Sequence, residues 1–284
     1  MKHLTGTIQS LTVDRIIDTG YVLTFETNEV LLHHQEADQE LQPNQEVSVF
    51  LYLDKKGKTV ATTKLPHVQM DVYGWSIVKQ VTPNLGVFVD IGTTKEILVS
   101  KDDLPLYEKV WPQTDDKLFV TLGRDRKGRL LAIPATEQVI FSRIEPAPES
   151  LLNASISGTV YRTNREGSAI ITPEHYRGFI HYTERKKEPR LGEYIQGRVI
   201  DVKDDGTLNV SLRPLKRESI QEDADQILEH LKANDGVIPF DDKSDPEDIR
   251  ATFHISKAAF KRAIGRLMKE GKVEQHNGYT HLCN

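Results

Sequence analysis

Residues 167–181 have the sequence GSAIITPEHYRGFIH, and the spacing inside this stretch occurs three times along the chain. In each copy a glycine opens a β-rich run, and an apolar triplet ends in a polar residue thirteen or fourteen positions later. The copies open at Gly20, Gly86 and Gly167, and they end at His33, Ser100 and His181. Three copies of one spacing indicate a repeated structural unit.

A charged turn that contains glycine closes each unit, at 54–57, 125–128 and 203–206. The opening glycine and the turn glycine are 37, 42 and 39 residues apart in the three units. Each turn lies between two β-rich runs, and its glycine supplies the positive φ that such hairpins need. With opening strands predicted at 4–11, 74–81 and 157–161, each unit has about five short strands, which is the size of a small Greek-key barrel, the OB-fold.

These landmarks resemble the S1 RNA-binding domain, an OB-fold variant. Gly178-Phe179-Ile180-His181, followed by the hairpin strand Leu208-Asn209-Val210-Ser211-Leu212, matches the S1 pattern best. The first two units match it more loosely, since Ser100 replaces the histidine in unit two and Val22 occupies an S1 aromatic position in unit one. The resemblance implies single-stranded RNA as the partner.

Residues 219–284 have a helical pattern instead. Amphipathic helices are predicted over 219–233, from Asp245 to about Phe253 and from Ser256 to Gly271, and Asn277-Gly278 predicts a hairpin. Three helices followed by a hairpin are typical of a winged helix-turn-helix. The predicted fold class is therefore mainly β and multidomain: three S1-like OB-fold barrels in tandem (1–66, 67–148 and 149–218) plus a C-terminal α+β winged helix (219–284).

The order of the four modules resembles the bacterial conserved virulence factor B family. That resemblance covers the whole chain, and it implies an RNA-binding protein that affects the expression of virulence genes. It implies no catalytic residue.

Composition and motifs exclude several functional classes. The single cysteine, Cys283, excludes a disulfide framework and a multi-cysteine zinc site. The sequence contains no apolar run of about 20 residues and no secretory signal at its start, which predicts a cytoplasmic protein without a membrane partner. Nucleotide-hydrolase, zinc-protease and serine-hydrolase motifs are missing, and we expect no enzymatic activity, no cofactor and no metal site.

The formal net charge of −5 conceals a local asymmetry. Residues 149–218 contain 12 basic and 10 acidic residues, whereas each of the other predicted domains is negative. Within the last domain, 219–248 holds 2 basic and 10 acidic residues, and 250–272 holds 7 basic and 1 acidic. The third barrel and the third helix of the winged helix are therefore the two candidate regions for contact with nucleic acid.

OB barrels bind single strands by stacking bases on exposed aromatic rings while nearby cations contact phosphates. The third unit is the strongest candidate because its arginines alternate with tyrosines. The predicted RNA-binding residues are His33, Asp54, Lys58, Phe88, Asp125, Arg129, Tyr161, Arg162, Arg177, His181, Tyr182 and Arg198. The alternatives are a solvated turn for the hairpin residues, an inward-facing ring for Phe88 and a surface position at the barrel end for the histidines.

In the winged helix, the predicted nucleic-acid contacts are Lys257, Lys261, Arg262, Arg266 and His276. Winged helices also serve as protein-docking modules, and the acids of 219–248 would repel a duplex. Three hypotheses follow: a non-catalytic regulator that binds single-stranded RNA, a transcription regulator that binds duplex DNA through the winged helix, and a protein adaptor. The winged helix has duplex DNA or a protein as its candidate partner.

Overall fold

The computed structural model describes residues 2–54, 56–214 and 216–283. The chain divides into two compact units, Met1–Leu212 and Arg213–Asn284. The first unit contains three five-stranded β-structures in tandem, and the second contains three helices and a small sheet. No helix in the described ranges is long and apolar enough to cross a membrane.

The first barrel is closed. Its strands are β1 (Ile8–Ile17), β2 (Gly20–Phe25), β3 (Asn28–His33), β4 (Glu46–Leu53) and β5 (Thr59–Thr62), in the order β1-β2-β3-β5-β4. All neighbours are antiparallel except β3 and β5, whose parallel pairing closes the barrel at Leu31 and Val60. The opening strand, predicted from Leu4, begins at Ile8 because residues 2–4 form a 3₁₀ turn.

The second β-structure has the same strand order, and its two end strands lie next to each other without a hydrogen-bonded ladder. It consists of β6 (Gly74–Thr82), β7 (Gly86–Asp90), β8 (Ile97–Ser100), β9 (Lys117–Arg124) and β10 (Leu130–Pro134), with no ladder between β8 and β10. The unit has the predicted five strands in the strand order of the other barrels. Phe50 of the first barrel packs into the core of the second, together with Val78, Val99 and Val120. A side chain of the neighbouring barrel therefore contributes to the second core.

The third barrel is closed like the first. After helix α1 (Glu137–Phe141) come β11 (Ser155–Thr163), β12 (Gly167–Ile171), β13 (Arg177–His181), β14 (Tyr194–Val202) and β15 (Leu208–Ser211), and β13 pairs in parallel with β15. Its core contains Val160, Ile170, Ile180 and Val199.

The sequence landmarks have structural causes. A Cβ on Gly86 would lie 2.0 Å from the carbonyl oxygen of Val99 on the paired strand, and the opening glycines of the other barrels meet the same obstacle. The turn glycines have the predicted positive φ, at Gly57 (75°), Gly128 (81°) and Gly206 (77°). The recurring spacing therefore records positions where the backbone tolerates only glycine.

The three barrels are joined by direct contacts. Arg124 donates a hydrogen bond from Nε to the carbonyl oxygen of Thr5 (3.1 Å), which joins the second barrel to the first. Arg190 makes a two-bond fork with the carboxylate of Asp116, at 3.1 Å for each bond, and joins the third barrel to the second. Asp116 is almost fully buried, so this pair is part of the junction.

The second unit has the predicted winged-helix topology. Its elements are α2 (Lys216–Ala233), β16 (Val237–Ile238), α3 (Pro246–Phe253), α4 (Lys257–Lys269), β17 (Val273–His276) and β18 (Tyr279–Leu282). Asp245 and Ser256 cap α3 and α4 as predicted, each accepting a backbone N–H. Two details differ from the prediction: α2 begins three residues earlier, and the short strand β16 joins the hairpin in a three-stranded sheet.

Candidate nucleic-acid interface

One outward-facing row of side chains crosses the third barrel. Ile180 is fully buried in the core, so strand alternation turns its neighbours Phe179 and His181 outward. Across the sheet, Phe179 pairs with Ala169 on β12, and Ala169 pairs with Arg162 on β11. A half-buried aromatic ring therefore lies on the outer face beside the small side chain of Ala169, which is itself buried.

An exposed pair of aromatic rings extends this row. The centroids of His181 and Tyr182 are 4.4 Å apart, and Tyr182 is 56% exposed. His181 caps the 3₁₀ turn Tyr182–Glu184, because its Nδ1 accepts from the backbone N–H of Thr183. Its Nε2 has no hydrogen-bond partner in the described ranges, and it faces solvent on an exposed side chain. The ring thus has a structural contact on one side and a free edge on the other.

Phe179 is the residue that sequence reasoning missed. It belongs to the quoted Gly178-Phe179-Ile180-His181 motif, but only its neighbour His181 was selected. The signal was the strand alternation itself, since a buried Ile180 places both flanking residues on the outer face.

The equivalent rows of the other two barrels differ in aromatic content. In the second barrel the aromatic ring belongs to Phe88 on the second strand, β7, which pairs with Leu98 on the third strand, β8. In the third barrel the arrangement is reversed, because Phe179 lies on the third strand, β13, and pairs with Ala169 on the second strand, β12. In the first barrel Val22 pairs with Leu31, and the row has no aromatic ring. Phe88 is half-buried and faces outward, whereas Val87 and Val89 enter the core.

The polar residue that ends each apolar triplet precedes a 3₁₀ turn in all three barrels. Ser100 accepts a hydrogen bond from the backbone N–H of Asp102, as His181 does from that of Thr183. His33 makes no such hydrogen bond, and its side chain is exposed. The recurrence of this position therefore has a structural explanation that is independent of RNA.

Several predicted RNA-binding residues of the third barrel contact each other and helix α1. Arg177 is 17% exposed, donates from Nε to the Tyr161 hydroxyl oxygen (3.0 Å) and lies 5.2 Å from the ring centroid of Phe141. Arg177 and Arg162 both pair with the carboxylate of Glu137. This arginine pair holds α1 against the barrel, and its ion pair leaves Arg177 less open to a phosphate than the exposed cations of this barrel.

Other arginines of the third barrel also have internal partners. Arg185 is nearly buried and bridges Ser168 and Glu188, and Arg190 belongs to the junction with the second barrel. Arg198 is half-buried on β14. In contrast, Arg165, Lys186 and Lys187 are exposed and have no ion-pair partner within the described ranges. The free positive charge therefore lies in the two loops that flank β12 and β13.

The hairpin acids hold their own turns. Asp54 accepts backbone N–H groups of Lys56 and Lys58 at 2.8 Å, and the Lys58 N–H keeps the pKa of Asp54 below its ordinary value. Asp125 accepts backbone N–H groups of Lys127 and Arg129 in the same way. The geometry thus favours a turn-forming role for both carboxylates. Because Arg129 also pairs through its Nε with Asp125 (2.7 Å), the exposed Lys58 is the less engaged of the two candidate phosphate contacts.

Phe88 lines a cavity of about 420 Å³ between the first and second barrels. Ile97 of β8 and Leu130 of β10 both line it. Tyr52 of the first barrel forms part of the opposite wall. Burial raises the pKa of Tyr52 to about 12, and the nearby charges of Glu36 and Asp54 act in the same direction.

In the winged helix, most of the predicted contacts have partners within the unit. Lys261 lies 3.5 Å from Asp242, Arg266 is paired with Glu270 and His276 with Glu274, and the ammonium of Lys257 donates to the carbonyl oxygen of Lys243. Arg262 is exposed and has no such partner in the part of the chain that the structure describes. The acids therefore neutralise much of the charge that the sequence places on α4.

No group of three or more histidine, cysteine or acidic side chains in the described ranges is arranged to hold a metal ion.

Comparison with known protein families matches each module. The model of the CvfB first S1-like domain matches residues 73–133, that of the second domain of the virulence regulatory factor CvfB matches 141–214, and that of the CvfB-like winged helix domain matches 225–282. A general S1 domain model matches residues 5–64.

Relatives align with this chain over nearly its whole length. The chain is 46% identical to the Bacillus subtilis protein YitL over 272 residues, which cover 96% of this chain and 91% of the relative. It is 37% identical to conserved virulence factor B of Staphylococcus aureus strain N315 over 285 residues, with 99% and 95% covered. A crystal structure of a multidomain protein with nucleic acid binding domains from Streptococcus pneumoniae is 36% identical, with a TM-score of 0.67 and 99% of both chains covered.

Proposed function

The chain belongs to the conserved virulence factor B family, and from that premise we propose that it is a non-catalytic cytoplasmic regulator that binds single-stranded RNA through its S1-like barrels. In this proposal the third barrel is the main binding module. The proposal divides the barrels near residues 66 and 148, as the sequence predicts, and places the last boundary before α2, where the two compact units divide between Leu212 and Arg213.

The observation that carries the proposal is the outer face of β13. Phe179, His181 and Tyr182 present three aromatic rings on the outside of one barrel, and two of them belong to exposed residues. Aromatic rings on the outer face of an OB barrel are stacking platforms for unpaired bases. Lys186 and Lys187 follow within five residues of Tyr182 and supply positive charge for phosphates.

The similarity to the Streptococcus pneumoniae protein, which is described as having nucleic acid binding domains, supports the same function. That protein aligns with this chain from end to end, so all four modules are shared. The choice of RNA over DNA rests on the S1 resemblance of the barrels.

Fluorescence anisotropy with labelled single-stranded RNA, single-stranded DNA and duplex DNA, at two salt concentrations, tests the proposal. We expect a preference for single-stranded RNA and an affinity that falls as salt rises. The combined change Phe179→Ala, His181→Ala and Tyr182→Ala should weaken RNA binding at least tenfold, because each lost stack is worth about 1–3 kcal/mol. A loss below twofold would contradict the assignment of the site.

Tyr194→Ala is the matched control. Tyr194 is as exposed as Tyr182 and lies in the same barrel, but it is on β14 and not beside β13. We expect a change in RNA affinity below twofold for this variant. An equal loss for both tyrosine sites would indicate nonspecific adhesion to aromatic surface.

A second candidate function is duplex binding by the winged helix. The exposed, unpaired Arg262 favours it, since it lies on α4, the helix that enters the major groove in winged-helix proteins, and no described residue neutralises it. The ion pairs of Lys261 and Arg266 oppose it, and they leave a protein partner as the alternative for this module.

A further inference from the structure

The loop between the third and fourth strands of the third barrel contacts two barrels. This segment, residues 185–192, is called the basic loop below. It follows directly after the 3₁₀ turn that begins at Tyr182, and it exposes the side chains of Lys186 and Lys187. Its last residues, 190–192, contact the second barrel. The basic loop therefore connects the exposed aromatic rings of the third barrel with the second barrel.

An ion pair makes the central contact between the basic loop and the second barrel. The guanidinium of Arg190 donates from Nε and Nη2 to the two carboxylate oxygens of Asp116, at 3.1 Å for each bond. The same carboxylate accepts the backbone N–H of Gln113 at 2.7 Å. Asp116 is only 8% exposed, so its carboxylate is used inside the protein. Arg190 also pairs with Glu193 (3.3 Å), but that partner belongs to its own barrel.

Backbone hydrogen bonds and apolar packing extend this contact. The backbone N–H of Leu191 donates to the carbonyl oxygen of Val110 (2.9 Å), and that of Lys117 donates to the carbonyl oxygen of Gly192 (3.0 Å). The side chain of Leu191 is buried in the core of the second barrel. A Cβ on Gly192, whose φ is +82°, would lie 2.9 Å from the carbonyl oxygen of Lys117. The end of the basic loop is thus fixed in the second barrel.

The beginning of the basic loop is fixed in the third barrel. Arg185 donates to the hydroxyl of Ser168 and pairs with Glu188. The carboxylate of Glu188 also accepts from the hydroxyl of Thr163 at 3.1 Å. The two exposed lysines, 186–187, therefore lie between two anchors. A segment that is held at both ends has less conformational freedom to lose when its ammonium groups meet phosphates.

We propose that Arg190 and Asp116 are positioning residues for RNA binding, because their ion pair holds the basic loop where Lys186 and Lys187 meet a strand stacked on the rings beside β13. The inference rests on the proposed function and gives the second barrel a supporting role in binding by the third. The pair acts through the loop and does not itself contact RNA.

RNA anisotropy of Asp116→Asn separates positioning from simple electrostatics. Asparagine keeps the size of the side chain, but its amide nitrogen places a donor against a guanidinium N–H, so the two-bond fork is lost. If charge alone acted, removal of an acid would strengthen the binding of a negatively charged strand. Positioning predicts the opposite, a loss of about threefold and a smaller salt slope, as large as the effect of removing both lysines.

Asp115→Asn is the matched control. It makes the same charge change at an exposed neighbouring position and leaves the fork intact. We expect its RNA affinity to differ from that of the wild-type protein by less than twofold. Unchanged or increased affinity of Asp116→Asn, or an equal loss in both variants, would overturn the positioning role.

A double-mutant cycle tests whether the effect passes through the lysines. In a protein that already contains Lys186→Ala and Lys187→Ala, Asp116→Asn should weaken RNA binding little further, because the loop then has no phosphate contact to position. Independent losses that multiply would indicate general damage and would overturn the proposal. Thermal unfolding of each variant sets a titration temperature at which all of them are folded, so a loss of folded protein does not enter the comparison.

Hydrogen exchange of the full-length protein without RNA tests the anchoring itself. The amide of Leu191, which donates across the junction to Val110, should exchange at least tenfold faster in Asp116→Asn, while that of Met70, which donates to Gly6 between the first two barrels, should not change. Unchanged exchange at Leu191 would overturn the anchoring. Absence of RNA binding by the wild-type protein would overturn the proposed function and with it the role of the pair in binding, whereas binding with unaltered affinity in Asp116→Asn would overturn the positioning role alone.

Discussion

The first and third barrels have the same strand order, the same parallel closure and the same 3₁₀ turn after the third strand, but their outer faces differ. The outer row of the first barrel contains Val22 and Leu31, and that of the third contains Ala169 and Phe179. The comparison teaches that inward positions and glycines maintain the fold, while the outward row determines what a barrel can bind.

The loops after the third strand of the first and third barrels also differ in charge. The 3₁₀ turn and loop after β3 contain Glu36, Asp38 and Glu40, whereas the loop after β13 contains Lys186 and Lys187. Arg15, the counterpart of Arg162 in the row, is held by Glu29 through two hydrogen bonds. The first barrel therefore presents little free positive charge on this side, and a negatively charged strand should prefer the third barrel.

Substitution of the opening glycines, which the first and third barrels share, should have the largest effect, namely on the free energy of unfolding. Gly20→Val and Gly167→Val place a Cβ 2.1 Å and 2.3 Å from a carbonyl oxygen of the adjacent strand. We expect each to lower the free energy of unfolding by about 3 kcal/mol or more, as severe core strain does. Urea unfolding measures this, and Gly265→Ala, where a Cβ meets open space, is the control that should not destabilise. Wild-type stability of either valine variant would contradict the close approach of the strands.

The outer rows should differ sharply in RNA affinity. Phe179→Ala removes a stacking platform and should weaken single-stranded RNA binding about 5- to 100-fold, which corresponds to roughly 1–3 kcal/mol. Leu31→Ala, at the equivalent position of the first barrel, should change it by less than twofold. Anisotropy titrations of both variants make the comparison, and equal losses would mean that the two barrels bind alike.

The fold could be predicted because its landmarks are demands of the backbone. Some residues fit only one local backbone structure and can be recognised directly in the sequence. They are the glycines where two strands approach closely, the turn glycines and the helix caps. The outer face was predicted less well. Counting arginines identified the third barrel, but Arg177 and Arg190 have carboxylate partners that are distant in sequence, at Glu137 and Asp116. Composition contains no information about such pairs.

The core shared by the first and second barrels had no sequence signal either. Phe50 belongs to the first barrel by sequence and to the second core by contact. Packing between neighbouring modules depends on their relative placement, which local patterns do not encode.

An aromatic side chain added to the outer row of the first barrel should increase the affinity of the protein for RNA. Leu31→Phe places an aromatic ring at the position equivalent to Phe179. A new stack that contributes somewhat less than about 1 kcal/mol should tighten RNA binding two- to fourfold. The gain should persist when Phe179→Ala is present, because the two sites are separate. Anisotropy of the single and double variants tests this, with Leu31→Met as a control for bulk. No gain would show that the acidic loop of the first barrel excludes the strand.

The loop charges should account for a smaller share of RNA affinity. Lys186→Ala with Lys187→Ala should weaken binding about threefold and reduce the slope of log affinity against log salt by about 1, since each phosphate neutralised on a single strand contributes roughly 0.7. Lys56→Ala is the control on the first barrel, and we expect little change in RNA affinity or in the salt slope. An unchanged slope in the third-barrel variant would remove these lysines from the interface.

Changes in the winged helix should have the smallest effect on RNA affinity. They test whether the difference between the first and third barrels accounts for RNA binding without a contribution from the winged helix. Lys261→Glu with Arg262→Glu reverses two charges on the exposed side of α4, one of which is already paired with Asp242. Because the proposed platform lies on β13, we expect the affinity for single-stranded RNA to change by less than twofold. Duplex DNA binding, if the intact protein shows any, should disappear in this variant, since backbone contacts by cations supply most nonspecific affinity. A large loss of RNA binding would instead place part of the RNA interface on the winged helix, and the difference between the first and third barrels would then explain only a fraction of the affinity.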